Sequence, residues 1–237
     1  MPRRDWVGLA LALGAAAVCV RLGIWQVARL HQRRARNAVV LAARQRPPVE
    51  LGTVRGEGGG VVPESLLLRR VHARGVYDFE RERLWRPKSF EDEPGVDLVT
   101  PLRLADGTAV LVDRGWVASP DAYHVAQPLY REPDTADVVG LALAAPRGRG
   151  DVDPVALKDS LPFPLLPFVV QQLPSPPASA RPLPPGLVRW PVPELGNGPH
   201  LSYAIQWFSF AVIIVVGSIA LFVKRREEAL PPRVPLR

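Results

Sequence analysis

Residues 200–223, HLSYAIQWFSFAVIIVVGSIALFV, decide the architecture of the chain. The 21 residues from Tyr203 to Val223 carry no charge. As a helix they would span roughly 31 Å, about the thickness of a bilayer's hydrocarbon core. Pro199 suits a first helical turn, and basic residues beginning at Lys224 follow the apolar run directly. The stretch therefore predicts a transmembrane helix. A buried soluble helix is the alternative, but globular helices rarely stay uncharged over this length.

A second apolar run, WVGLALALGAAAVCVRLGI, lies between Trp6 and Trp25. We assign residues 1–25 as a first transmembrane helix, with these two indole rings at its membrane interfaces. The helical pattern continues through residues 26–46 as a basic extension, which Pro47-Pro48 ends. A cleaved signal peptide is the alternative at this end of the chain.

Charge is distributed unevenly along the 237 residues, although the chain as a whole carries +7. Residues 1–46 carry a net charge of +8, residues 47–199 carry −4, and residues 200–237 carry +3. The excess positive charge therefore lies beside the apolar runs, where the anionic headgroups of a lipid bilayer attract it. The acidic middle region excludes a nucleic-acid-binding surface.

Sulfur chemistry is nearly absent from the sequence. Cys19 is the single cysteine, so the chain cannot form an internal disulfide or offer a cysteine pair to copper. Met1 is the single methionine, which also argues against a thioether metal site.

The middle of the chain alternates short apolar runs with turn residues, which is typical of a β-rich domain. The predicted strands are residues 66–77, 83–88, 95–104, 108–117 and 137–144. Asp106-Gly107 predicts a type I′ hairpin between two of them. Ser119 is expected to start a short helix that ends near Tyr130.

Prolines are concentrated in the next stretch, since residues 145–200 hold 14 of the 27 in the chain. This density predicts mostly loop and no central strand, with one strand at residues 168–173.

The predicted fold class is two transmembrane α-helices, N- and C-terminal, flanking a small β-rich extramembrane domain with a Pro-rich irregular segment. The β-rich domain is assigned to residues 47–144 and its Pro-rich tail to residues 145–199. The second span covers residues 200–223, and residues 224–237 form a cytoplasmic tail.

Four motifs, in order along the chain, resemble the surfeit locus protein 1 family. They are LGIWQVARL at residues 22–30, GVYDF at 75–79, VLVDRGWV at 110–117 and GPHLSYAIQWFSFA at 198–211. The resemblance implies an assembly factor of haem–copper cytochrome c oxidase, not an enzyme. It also implies binding of haem a, transfer to oxidase subunit I and contact with the machinery that makes haem a.

The resemblance also implies where the protein lies. Only five residues precede the first span, which leaves no room for a mitochondrial presequence and favours a bacterial plasma (inner) membrane. Basic residues near the spans are equally numerous on both sides, but the cluster at Lys224 lies closest to an apolar core. We therefore expect cytoplasmic termini and a periplasmic domain.

Two helical stripes are candidates for the haem site. His200, Tyr203 and Trp207 lie at i, i+3 and i+7 on the second span. Arg21, Trp25, Arg29 and Gln32 share one face of the first helix. We hypothesise that the two stripes face each other. His200 would ligate iron, Arg21 or Arg29 would pair with the propionates, and Trp25, Tyr203 and Trp207 would pack on the porphyrin. Gln206 would orient a partner group.

Each of these residues also has an ordinary interpretation. Aromatic residues of this kind form interfacial belts, arginines anchor helix ends, and a histidine at a helix start is commonly solvated.

Residues of the GVYDF and VLVDRGWV motifs are candidates for partner binding or for structure, namely Gly75, Tyr77, Arg114, Gly115 and Trp116. We interpret Gly115 and Trp116 as structural, because glycine allows close backbone approach and tryptophan packs. Arg114 is expected to pair with Asp113 or a neighbouring carboxylate.

Two other functions compete with haem binding. One is a scaffold that docks oxidase subunits without holding haem. The other is a membrane-tethered hydrolase, which is weak because no nucleophile-elbow or paired-carboxylate spacing occurs.

Overall fold

The computed structural model describes residues 3–53, 66–146, 148, 151–175 and 182–228. The chain divides into two compact units. One contains Met1–Val39 and Leu195–Arg237, and the other contains Val40–Glu194. The first unit is a pair of helices and the second is β-rich, as the sequence predicted.

Two long helices stand at the two ends of the chain. Helix α1 runs from Arg3 to Gln45 and helix α3 from His200 to Glu228. Both are long and apolar enough to cross a membrane, which indicates that the chain is membrane-anchored. Helix α1 continues without a break through the basic extension and ends just before Pro47-Pro48, as the sequence predicted.

The helical unit is held together by small side chains. On α1 the buried residues are Ala16, Cys19, Gly23 and Leu30, and on α3 they are Ala204 and Ala211. An added Cβ at Gly23 would lie only 2.6 Å from the ring of Phe208, so glycine is needed for the helices to approach this closely. The rings of Trp6 and Phe222 pack edge to face 5.6 Å apart near the other end of the pair. Close packing of this kind drives helix association in lipid.

In the part of the second unit that the structure describes there are seven strands and one short α-helix. The strands are β1 (Val49–Glu50), β2 (Arg70–Tyr77), β3 (Arg83–Phe90), β4 (Glu93–Leu104), β5 (Ala109–Ala118), β6 (Thr135–Ala144) and β7 (Leu165–Gln172), and the helix is α2 (Pro154–Leu157). The sheet order is β1-β2-β6-β7-β5-β4-β3, and β2 also pairs with β4. This last pairing closes β2, β6, β7, β5 and β4 into a five-stranded barrel.

Alternating residues of the strands fill the barrel. Val71, Leu102, Val110, Val138 and Val170 are fully buried in one apolar cluster. Because strand side chains alternate between faces, Val110, Val112 and Arg114 point the same way, which carries a charged side chain toward this core.

Two hairpins differ from the sequence prediction. The turn at Asp106-Gly107 joins β4 to β5, but only Gly107 has a positive φ there (+86°), and Leu104 closes the loop by donating to Thr108. It is a three-residue loop rather than a type I′ turn. The two-residue turn with both φ angles positive occurs instead at Glu91-Asp92, between β3 and β4. Neither residue is a glycine or an asparagine, so the sequence did not predict a turn of this type here.

The Pro-rich tract contributes a central barrel strand, and the prediction that it could not was wrong. Strand β7 lies between β5 and β6 and contains Pro167. Its pairing with β5 is irregular between Leu165 and Val169, and its pairing with β6 begins only at Phe168. Pro167 therefore lies where no ladder hydrogen bond needs its missing N–H. Residues 147, 149–150 and 176–181 of this tract, and residues 229–237 of the predicted tail, lie outside the described residues.

The short helix expected from Ser119 does not form. Ser119 begins a turn, in which its carbonyl accepts from the N–H of Ala122, and only Gln127–Tyr130 forms a 3₁₀ helix. The Asp121 carboxylate accepts from the backbone N–H groups of Tyr123 and His124, which closes a tight loop instead of a first helical turn.

Candidate functional site

His200 begins α3 and touches α1 through one ring nitrogen. Its Nδ1 lies 2.8 Å from Oε1 of Gln26. An amide oxygen only accepts, so Nδ1 carries a proton, and in the neutral imidazole Nε2 then has the lone pair. The ring is half-buried. The contact therefore orients an imidazole whose second nitrogen has no hydrogen-bond partner among the described residues.

Gly198 borders the free side of that ring. Its φ is +70°, and an added Cβ would lie 3.4 Å from Cδ2 and 3.5 Å from Nε2 of His200. A side chain at this position would cover the nitrogen. Glycine therefore leaves the approach to Nε2 open.

The other predicted residues of α3 divide between two sides of the helix. Trp207 lies on the side of His200 and is half-buried, with its ring 6.0 Å from that of Phe210. Tyr203 is 46% exposed on the flank. Gln206 is exposed on the far side from the α1 contact. The structure thus brings Trp207 to the side of His200 and leaves Gln206 away from it.

The predicted stripe of α1 is not the surface that packs against α3. Arg21 and Trp25 are exposed on the opposite side of α1 from Gly23 and Leu30. Arg29 lies over the Trp25 ring at 5.5 Å and donates to Gln32 at 3.3 Å. The packing face is set instead by small side chains, because only these allow close helix approach. A ligand-binding role for the stripe stays a prediction.

Three polar residues of α1 hold the segment before His200 and were missed in the sequence. Besides Gln26, Arg33 donates from Nε to the carbonyl of Gly196 at 3.2 Å. Asn37 donates to the carbonyls of Leu195 and Gly196 at 3.1 and 3.3 Å. These bonds fix the chain that leads into α3.

A readable signal for this face exists in the sequence. Ala16, Cys19, Gly23, Gln26 and Leu30 follow one another at spacings of three and four residues. That is the spacing of a helix-pair seam, and Gln26 is its polar member. The site prediction used the charged stripe beside this seam and therefore missed Gln26.

Arg114 lies at the centre of a buried ionic cluster in the barrel. Its guanidinium donates to Glu82 at 2.5 Å, to Glu132 at 2.7 Å and to Thr100 and the Tyr130 carbonyl, both at 2.8 Å. Arg189 donates to the other oxygen of Glu132 at 2.5 Å. We call Arg114, Glu82, Glu132, Arg189 and Thr100 the Arg114 cluster. Asp113, the partner considered from the sequence, is not part of it.

The Arg114 cluster is sealed from solvent. The Arg114 side chain is 0% exposed and that of Glu82 only 3%. Burial opposes ionisation of Glu132, but hydrogen bonds from Arg189 and Arg114 hold its pKa below the ordinary value. With all three of its nitrogens bonded inside the domain, Arg114 ties together chain segments around residues 82, 132 and 189.

The remaining motif residues shape the barrel. Gly115 has φ +127°, and an added Cβ would lie 2.3 Å from the carbonyl oxygen of Val188. Trp116 exchanges two backbone hydrogen bonds with Val188 and packs its ring on Phe90. Gly75 faces Leu104 where β2 meets β4, and a Cβ there would lie 2.2 Å from the Arg103 carbonyl oxygen.

Tyr77 completes the motif residues. It is buried, and its hydroxyl donates to Gln172 at 3.0 Å. Like Gly75 and Gly115, it has a structural role in the barrel.

Two buried carboxylates lie on the outer face of the barrel. Asp97 pairs with Lys88 Nζ at 2.7 Å and accepts from the Trp190 indole at 2.7 Å. Burial, with the nearby Asp97 charge, raises the pKa of Asp113 to about 8. The Gln171 amide holds the Pro191 carbonyl beside them at 3.0 Å. These contacts fasten the part of the Pro-rich tract that follows β7 to the barrel wall.

Comparison with known proteins agrees with the motifs. The profile of the SURF1 family matches residues 13–212. An uncharacterised SURF1-like protein of Mycobacterium bovis is 30% identical over 263 residues, covering 99% of this chain and 92% of the relative. One from Mycobacterium tuberculosis matches equally. A SURF1-like protein of Dictyostelium discoideum is 30% identical over 41% of this chain and 38% of its own. The match spans both helices and the barrel, and the chain belongs to the SURF1 family.

Proposed function

We propose that this protein is a membrane-anchored assembly factor for haem–copper cytochrome c oxidase that binds haem a and assists its insertion into subunit I. The oxidase role rests on membership of the SURF1 family. The haem role rests on one observation, the imidazole of His200 held at Nδ1 by Gln26 with Nε2 uncommitted. It acts in a bacterial inner membrane, with its termini in the cytoplasm and its barrel in the periplasm.

The residues around His200 fit an axial ligand for haem. An iron ligand must be a neutral imidazole, and metal-binding histidines are commonly oriented through a hydrogen bond at their second nitrogen. Gln26 supplies that bond without adding charge. Gly198 leaves space beside Nε2, and Trp207 offers an aromatic surface on the same side of α3.

Cations for the propionates are available on α1. Arg29 and Arg33 follow Gln26 by one and two helical turns. Arg33 uses Nε to hold the Gly196 carbonyl, so its two terminal nitrogens remain for a carboxylate. Arg21 and Arg29 are the two arginines that the sequence suggested for the propionates. Arg21 lies on the opposite side of the helix and is the weakest candidate of the three arginines.

If haem binds here, His200 would hold it through Nε2, and the group would supply an iron centre that takes a nitrogen ligand. The role of the chain is to present the His200 nitrogen to haem and later to release the haem. Gln26 keeps the proton on Nδ1, and the bonds from Arg33 and Asn37 hold the segment that leads into α3. A single histidine at a half-exposed helix start binds less tightly than a closed pocket, which suits a carrier that must hand its ligand on.

A scaffold that docks oxidase subunits without holding haem is the second candidate. Exposed apolar side chains on the barrel unit favour it, namely Tyr123 at 60%, Leu129 at 71% and Val155 at 64%. Partners in either case are subunit I and the machinery that makes haem a.

The experiment is to purify the protein from cells that make haem a and to record its visible spectrum. We expect a Soret band in the wild type, its loss in His200→Ala and its retention in His31→Ala. His31 is an exposed histidine on α1 and serves as the matched control. Subunit I is probed in the same samples.

Three results separate the candidates. A Soret band lost only in His200→Ala supports haem binding at this site. A colourless wild type that still copurifies with subunit I supports the scaffold. A Soret band unchanged in His200→Ala contradicts the assignment of the ligand.

A further inference from the structure

A second seam runs along α3 on the side away from α1. It consists of Ser202, Gln206, Ser209, Ile213, Val216 and Ala220, which we call the outer seam. The six residues follow one another at alternating spacings of four and three, which places them on one helix face. All six are exposed, Ile213 at 65% and Val216 at 59%.

The outer seam is polar where a lipid-facing surface should be apolar. Ser209 lies roughly 9 Å along the helix from Tyr203, where the apolar run begins. Among the described residues, neither Gln206 nor Ser209 makes a side-chain hydrogen bond, while Ser202 donates to the Pro199 carbonyl. Polar side chains in a membrane helix usually bond a neighbouring helix, since lipid offers them no partner.

We propose that the outer seam binds the outer seam of a second copy of this chain, forming a parallel helix dimer. Two copies in one membrane have the same orientation, so a two-fold axis along the membrane normal places each residue opposite itself at the same depth. Gln206 then meets Gln206. An amide both donates and accepts, so each can satisfy the other with two reciprocal bonds.

The rest of the outer seam suits this dimer. The alternating spacing is that of a left-handed helix pair, and the small side chains of Ser202, Ser209 and Ala220 allow close approach. Gly217 borders it, and a Cβ there would meet nothing within 4 Å. The dimer leaves the His200 side of α3 free, so it does not depend on the proposed haem site.

Disulfide crosslinking in native membranes tests the proposal, because Cys19 is the only cysteine to remove. In a Cys19→Ala background, single cysteines are placed in the full chain at Ser202, Gln206, Ser209 and Ile213. Controls are placed at Leu201 and Val212, which are also exposed and lie at similar depths. After mild oxidation we expect a band of twice the chain's mass at the four seam positions and little at the controls.

A second variant tests the amide itself. We expect Gln206→Leu to lower crosslinking through Ser209→Cys by about threefold, the effect of an average interhelical hydrogen bond. Phe210→Leu should leave it unchanged. Equal crosslinking at seam and control positions, no crosslinking at the seam, or adducts of another mass would each overturn the proposal. The last result would assign the outer seam to a different protein.

Discussion

The Arg114 cluster and the His200–Gln26 pair differ in how completely their polar atoms are used. Every nitrogen of Arg114 is bonded within the barrel, and its side chain is shut off from solvent. His200 uses one nitrogen and keeps the other, in a half-exposed ring beside a glycine. A fully bonded buried group stabilises one structure, whereas a group held at one end and open at the other is prepared for a ligand. The Arg114 cluster therefore stabilises the barrel, whereas the His200–Gln26 pair is the one we propose as a ligand site.

The largest effect on stability is expected at Arg114. Arg114→Met leaves Glu82 and Glu132 buried without their shared cation, and breaking a buried ion pair at one side costs about 3–5 kcal/mol. We expect urea unfolding of the barrel to shift by that free energy. Arg103→Met removes an exposed arginine from β4 and should cost less than about 0.5 kcal/mol. An equal loss of unfolding free energy in both variants would contradict the structural role of the Arg114 cluster.

Gly115→Ala should have the next largest effect. Its positive φ costs about 1–3 kcal/mol for a side chain, and the close Val188 carbonyl oxygen forces a further shift of the backbone. Gly107→Ala is the matched control, because Gly107 has φ +86° but open space around it. It should cost only about 1–2 kcal/mol. Thermal unfolding of both variants measures the difference, which should vanish if the Val188 contact is unimportant.

Gln26→Leu tests the open site without removing the histidine. Loss of a hydrogen bond that orients a metal ligand typically lowers affinity by about 10–100-fold. We expect that loss in the binding of haem a, with barrel stability unchanged. His31→Leu, an exposed change on the same helix, should bind as the wild type does. A Gln26→Leu protein with wild-type affinity would show that the Nδ1 contact does not prepare the ligand.

The smallest effect concerns His72 on strand β2. Its ring nitrogens contact Glu50 and Asp137, with Arg74 on the other oxygen of Asp137. The Glu50 hydrogen bond raises the pKa of His72, although partial burial opposes it. The stabilisation is therefore complete below the unfolded-state pKa of about 6.5 and is lost as pH rises through the higher folded pKa.

The measurement is unfolding free energy against pH for wild type and His72→Gln. We expect a difference of about 1 kcal/mol at pH near 6 that shrinks at alkaline pH. A difference that grows with pH would contradict the charged state of the ring.

Much of the fold could be read from local patterns in the sequence. Two apolar runs of helical length marked α1 and α3, and short apolar runs between turn residues marked β2, β3, β4, β5 and β6. Strand β7 was recognised only in part, because the tolerance of Pro167 depends on a register irregularity between two neighbouring strands. Closure of the barrel could not be predicted from local patterns either, because it depends on the pairing of Gly75 in β2 with Leu104 in β4.

The candidate site was proposed from the sequence at His200, and the side chain that contacts this histidine was missed. His200 stood out as a histidine at the start of a membrane helix. Gln26 did not, because its role depends on which face of α1 packs against α3. Small residues such as Gly23 set that face, whereas the prediction followed the charged residues. The partners of Arg114 were hidden for the same reason, since Glu82 and Glu132 are brought to it only by the closed barrel.

The central claim is that Nε2 of His200 is the ligand nitrogen for haem, and the most direct test is haem titration with chemical rescue. Purified full-length wild type and His200→Ala are titrated with haem a, and the Soret band is recorded with and without added imidazole. We expect His200→Ala to lose the ligand-specific band and to regain it when imidazole fills the vacated position. Binding by His200→Ala that matches the wild type without imidazole would contradict the account.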